Sequence, residues 1–184
     1  MLLTLPMFFM SLVFFAVGIA LTAIRADKIG DGASADTIET LRHLGPAFMF
    51  LGFASVFSAI SFAIARILGQ FRRGGGSIQE ATGRAVRTLK MPLTGKMFLM
   101  GMMVSVVTLV VASILHFVFA ADISNTELSL ADSEERFLVL EGVRRAGIAL
   151  FLFSIALGLA TIVRVLRFQA TRIRELSEEV AAGG

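Results

Sequence analysis

The sequence predicts an all-α integral membrane protein with four transmembrane helices and both ends in the cytoplasm. Three observations predict it. Hydrophobic residues make up 56% of the 184. Four apolar runs are each long enough to cross a bilayer. Lysine and arginine are divided unevenly among the segments between those runs. A soluble domain of this size cannot hide so much apolar surface, because part of any folded surface must meet water. The mean hydropathy of +0.82 puts the excess against lipid or other proteins.

A hydrocarbon core about 30 Å thick takes roughly 20 residues of helix, and the runs 2–24, 46–68, 97–121 and 146–163 supply it with no charge near any centre. The first run is too long for a signal peptide, and no basic residue precedes it. The second opens at Gly45-Pro46, where a kink is expected because proline lacks the N–H that an interior helical position donates. Asp36-Thr-Ile-Glu39 and Asp132-Ser-Glu-Glu135 read as helix starts, so the second and fourth helices should begin in water. Tyrosine and tryptophan are absent, leaving arginine and phenylalanine to anchor the ends.

Charge sets the orientation. Segment 69–96 carries Arg72, Arg73, Arg84, Arg87, Lys90 and Lys96 against Glu80 alone, and the tail adds Arg164, Arg167, Arg172 and Arg174. Segments 25–45 and 122–145 hold six basic residues and ten acids. The bias places the middle segment and the tail inside. The expected membrane is a plasma membrane of the bacterial inner type.

The middle segment has a capping box, Ser77-Ile-Gln-Glu80, followed by Ile78, Thr82, Ala85 and Leu89 on one helical face and Arg84, Arg87 and Lys90 on the other. The spacing predicts an amphipathic helix over 77–91, basic face on anionic headgroups of the inner leaflet, tethered by Gly74–Gly76. Leu166, Ile173, Leu176 and Val180 extend a helical stripe into the tail, with Arg174 and Glu178 at pair spacing.

The halves resemble each other. LTLPMFFM (3–10) matches LTGKMFLM (93–100), and IETLRHLGPA (38–47) matches LEGVRRAGIA (140–149). IARIL (64–68) matches IVRVL (162–166). The fold expected is therefore two helical-hairpin repeats of parallel topology. They span 1–68 and 97–166, joined by a cytoplasmic basic linker (69–96) and followed by a cytoplasmic helical tail (167–184). The repeat pairs Glu39 and Arg42 with Glu141 and Arg144, predicted to lie at equal depth as internal ion pairs.

Chemistry is sparse. With no cysteine, thiolate metal sites, c-type haem attachment and cysteine nucleophiles are excluded. His43 and His116 are the only histidines. With Asp27 and Asp122 they are the candidate metal ligands, against the simpler reading of histidines that meet water at an interface. No catalytic or cofactor-binding residue is predicted, no cofactor is expected, and the basic residues lie beside spans rather than in a nucleic-acid-binding patch. Ala54 and Ser58, Ser55 and Ala59, Gly101 and Ser105, and Ser154 and Gly158 are four apart, a spacing that lets helix backbones approach closely. The sequence thus points to a non-catalytic accessory subunit that packs against other membrane subunits and meets anionic lipid. The alternatives are a small transporter or channel, or an electron-transfer or metal-binding subunit using His43 and His116.

Overall fold

A computed structural model describes residues 4–73, 76–81, 83, 87–124 and 129–182. The chain runs α1 (Thr4–Gly30), α2 (Ala35–Phe71), α3 (Gly76–Ala81), α4 (Leu93–Ser124) and α5 (Leu130–Ala182). Four of these helices, all but α3, are long and apolar enough to cross a membrane. Each outruns the apolar stretch within it, α1 ending before Gly32 at a φ of +70° and α4 beginning just after Pro92.

The helix starts fall slightly before their expected positions. Ser34 caps α2 by accepting from the Thr37 N–H, and the Ser129 hydroxyl accepts from the Asp132 N–H ahead of α5. Serine precedes aspartate in each case and takes the capping role first. Pro46 lies inside α2 without interrupting it, leaving the Arg42 carbonyl without its helical donor.

α2 is the centre of the bundle and buries two stripes. Gly45 and Gly52 face α1, where a methyl group on Gly45 would lie 3.1 Å from Thr22 Oγ1 and one on Gly52 would run into the Phe15 ring. His43, Ala47, Phe50, Ala54 and Phe57 recur at alternating spacings of four and three, and all are buried. This second stripe faces α4 and α5. α4 and α5 carry matching stripes. On α5 the buried positions include Ser133, Leu140, Phe151, Ser154, Thr161, Val165, Arg172 and Leu176. That 3.5-residue rhythm is the seam of left-handed helix packing.

The small-residue pairs lie at these crossings. Ser105 donates to the Gly147 carbonyl at 2.8 Å and Ser113 to the Ala47 carbonyl at 2.7 Å. Gly101 faces Ser154, and Gly158 faces the Phe98 ring. Without a hydrophobic drive in lipid, such close contacts and interhelical hydrogen bonds hold the helices together.

Two expectations fail. The amphipathic helix over 77–91 does not form: α3 ends at Ala81, Gly83 takes a φ of +68°, and Thr88 pairs as an isolated antiparallel bridge with Arg73. A positive φ suits glycine and ends a helix, so Gly83 overrides the apolar periodicity. The linker folds back instead. The Leu89 N–H donates to the Arg72 carbonyl, and Arg72 Nε donates to the Leu89 carbonyl. Arg87 lies 4.0 Å from Glu175 of the tail, and Lys90 is exposed. Arg84 and the side chains of Ser77 and Val180 lie outside the described residues.

The repeat-equivalent ion pairs also miss their expected depth. Both form, Arg42 with Glu39 and Arg144 with Glu141. However, α2 and α5 run parallel in one register along their contact. Ser133 meets Glu39, Phe137 lies under Arg42, Arg144 approaches Phe50, and Phe151 stacks on Phe57. Arg144 is therefore level with Phe50, eight residues along α2 from Arg42, which is about 12 Å of helix. The displacement removes equal depth as support for a duplication.

The tail is helical to Ala182; of its predicted stripe Leu176 faces inward as expected, while Val165 and Arg172 take the inward places given to Leu166 and Ile173. Arg172 and Leu176 are buried, whereas Leu166 and Ile173 are exposed. Arg172 bonds Glu175 at 2.9 Å and Glu179 at 3.3 Å.

Candidate functional site

Where α2, α4 and α5 converge, near the start of α5, the structure joins six polar side chains. The rings of His43 and His116 face each other with their Nδ1 atoms 2.9 Å apart, and both residues are essentially inaccessible. His43 Nε2 lies 3.1 Å from Ser133 Oγ, and Ser133 donates to Glu39 Oε2 at 3.3 Å. Arg42 spans the two acids: its Nη1 reaches both Glu39 oxygens at 3.4 Å and bonds Glu134, while Nη2 reaches Glu134 Oε1 at 2.9 Å.

Local sequence explains the convergence. Glu39, Arg42 and His43 lie within one turn of α2 at spacings of three and four, so they share a face. Ser133 and Phe137 do the same on α5. His116 comes from the α4 stripe. Aromatic rings wall the pair: Phe50 is 5.1 Å from His116, Phe137 is 5.7 Å from His43, and Phe119 is 6.0 Å from His43. Arg42 lies 4.3 Å above the Phe137 ring and Arg136 lies 4.8 Å above Phe119.

The partners assign the protons. A Glu39 carboxylate held by Arg42 can only accept, so the Ser133 hydroxyl proton points to it. Ser133 Oγ then accepts from His43 Nε2–H. That leaves His43 Nδ1 with its lone pair, which accepts from His116 Nδ1–H. With the protons so assigned, every donor from His116 through His43 and Ser133 points toward Glu39.

This arrangement ties three helices. A Ser–His–acid trio invites comparison with a nucleophile–base set, but its polarity is reversed. The acid takes the serine proton instead of orienting the histidine, the far imidazole nitrogen is occupied by His116, and Ser133 has no exposure through which to meet a substrate. Among the described residues, no three His, Asp or Glu side chains converge on a point where they could hold a metal ion. Asp27 and Asp122 make no hydrogen bond or ion pair to the histidines.

Sequence reasoning singled out His43, His116 and Glu39, but the reading of histidines that meet water fails because both rings are buried. It missed Ser133, Glu134, Phe137 and Phe50. The signal lay in the α5 stripe, where Ser133 and Phe137 precede Leu140 in the same four-three rhythm. Of the basic face predicted for the linker, Arg87 pairs with the tail and Lys90 stands apart from this cluster. No family model, curated protein or solved structure matches the chain.

Proposed function

We propose that this protein is a non-catalytic integral membrane subunit that packs against a larger membrane protein complex, with both ends in the cytoplasm of a bacterial-type cell. The observation that carries this reading is the lopsided bundle. α1 packs chiefly on α2 and buries only Ser11 and Gly18, while Leu5, Phe9, Val13 and Ile19 of its remaining faces are more than half exposed. A span attached along one stripe keeps its other faces for neighbours. The polar groups at the crossings serve the bundle itself. Besides Ser105 and Ser113, Thr161 donates to Thr94 at 2.9 Å, so these hydroxyls are already engaged rather than lining a path.

The basic linker and tail support the orientation, and contact with anionic inner-leaflet lipid follows from it. Reporters fused after Gly184 should be active only in the cytoplasm, and reporters inserted near Ala33 or Ser129 only outside. A cytoplasmic signal from either insertion overturns the topology. Extraction in a mild detergent followed by mass spectrometry should recover other membrane proteins in fixed ratio with this chain. A chain that migrates alone and supports solute flux in proteoliposomes would replace the reading with a transporter. A visible absorption band that depends on His43 or His116 would replace it with a metal or haem subunit.

A further inference from the structure

Beside the histidine network, an open groove of about 330 Å³ runs between α4 and α5. We infer that it binds the headgroup of an amine-bearing phospholipid, a ligand with a primary ammonium, a phosphodiester and acyl chains. The inference needs only that the helices span a bilayer, so it stands apart from the accessory-subunit reading.

The groove is graded in the order of such a lipid. Along α5 come Asp132 and Glu135, then Arg136, then Val139 and Leu140, with Leu115 and Phe119 supplied by α4. From Asp132 to Leu140 is eight residues, about 12 Å of helix. Leu115 and Phe119 of the α4 wall lie within the apolar run 97–121, so the inner end of the groove meets hydrocarbon, and a length of about 12 Å outruns a headgroup zone roughly 5–8 Å deep. Two carboxylates stand where the ammonium lies, a guanidinium where the phosphate lies, and an apolar floor where the chains begin. Leu115 and Val139 are 37% and 60% exposed, surface that suits hydrocarbon better than water.

Asp132 and Arg136 are held in place. The Ser129 hydroxyl donates to Asp132 Oδ2 at 2.6 Å, and the Phe119 ring supports the Arg136 guanidinium. A planar guanidinium offers a phosphodiester paired N–H donors. A primary ammonium can donate hydrogen bonds to both carboxylates, whereas a quaternary choline has no N–H to give. A phosphatidylglycerol has no cation and meets the two acids with like charge. The groove should therefore separate phosphatidylethanolamine from both.

The test titrates the purified full-length chain in detergent with dioleoyl phosphatidylethanolamine, phosphatidylcholine and phosphatidylglycerol, reading bound lipid by native mass spectrometry. Phosphatidylethanolamine should bind about tenfold more tightly than either rival, the size of one charge-assisted hydrogen bond. Asp132→Asn with Glu135→Gln should bring it down to the phosphatidylcholine level. Should that variant fail to fold, Arg136→Gln should weaken both zwitterionic lipids together. Soluble phosphoethanolamine, which lacks the chains, should not compete. Equal binding of the three lipids by the unmodified protein overturns the inference. So does a preference that survives the double substitution, or full competition by phosphoethanolamine.

Discussion

Near the start of α5, helix α2 meets it through Glu39, Arg42 and His43, which reach Ser133, Glu134 and Phe137. About four turns further along, the same two helices meet through Phe57 and Phe151, whose rings stack in parallel. The two contacts share a register but fix it differently. Hydrogen bonds have direction, and sliding α5 by one turn would strand several charged or polar groups at once. Stacked rings tolerate a slide, and lipid is as apolar as the rings, so their contact contributes packing without a hydrophobic drive. The polar end specifies which residues meet, and the aromatic end adds attraction once they have met.

The largest effect should come from Arg42→Ala. Arg42 is 17% exposed and faces two carboxylates, so its removal leaves Glu39 half-buried and unpaired. The cost should be about 3 kcal/mol in reversible unfolding from micelles, at the low end for a stranded buried charge. His116→Leu comes next at about 2 kcal/mol, because His43 Nδ1 loses its donor inside an aromatic wall. In the double variant with His43→Leu, the two losses should sum to less than the singles by about 1 kcal/mol or more. Strict additivity would mean that the two rings do not share a bond in solution.

Phe57→Leu should cost about 1 kcal/mol, the scale of an aromatic pair beyond its area. If it costs more than Arg42→Ala, the comparison is reversed and the aromatic end dominates. Smallest is Arg87→Ala, whose partner Glu175 is 4.0 Å away with both side chains largely open. It should change stability by less than about 0.5 kcal/mol and show only as faster amide exchange around Glu175.

The spans were legible because a 20-residue apolar run has few other readings. The packing face of α5 was harder to read, since it carries Ser133, Gly147, Ser154, Gly158 and Thr161 where a hydrophobic scan looks for leucine. In lipid the inward face is the small and polar one, so ordinary periodicity points outward, as Leu152, Phe153 and Leu159 do. Part of the tail stripe slipped by one position for a related reason, while Leu176 kept its inward place. Arg172 takes an inward place that the scan gave to Ile173, because Glu175 and Glu179 meet its charge. The linker helix failed on a single residue: Gly83 at positive φ outweighs four well-spaced apolar neighbours. The histidine pair was half legible. Charge and span position set the approximate depth of both rings, but a partner 90 positions away, Ser133, leaves no local trace.

The length of α5 has a mechanical consequence. Its 53 residues make a rod of about 80 Å, more than twice the thickness of the apolar layer at about 30 Å. One end is gripped at Ser133 and Glu134, and the other carries Glu175, which faces Arg87 of the linker. Pivoted as one body about the crossings at Ser154 and Gly158, such a rod would act as a lever. A tilt of about 5° swings each tip by roughly 3.5 Å in opposite directions, farther than a hydrogen bond can stretch. A release at the Ser133 end would therefore be felt at the Glu175 end.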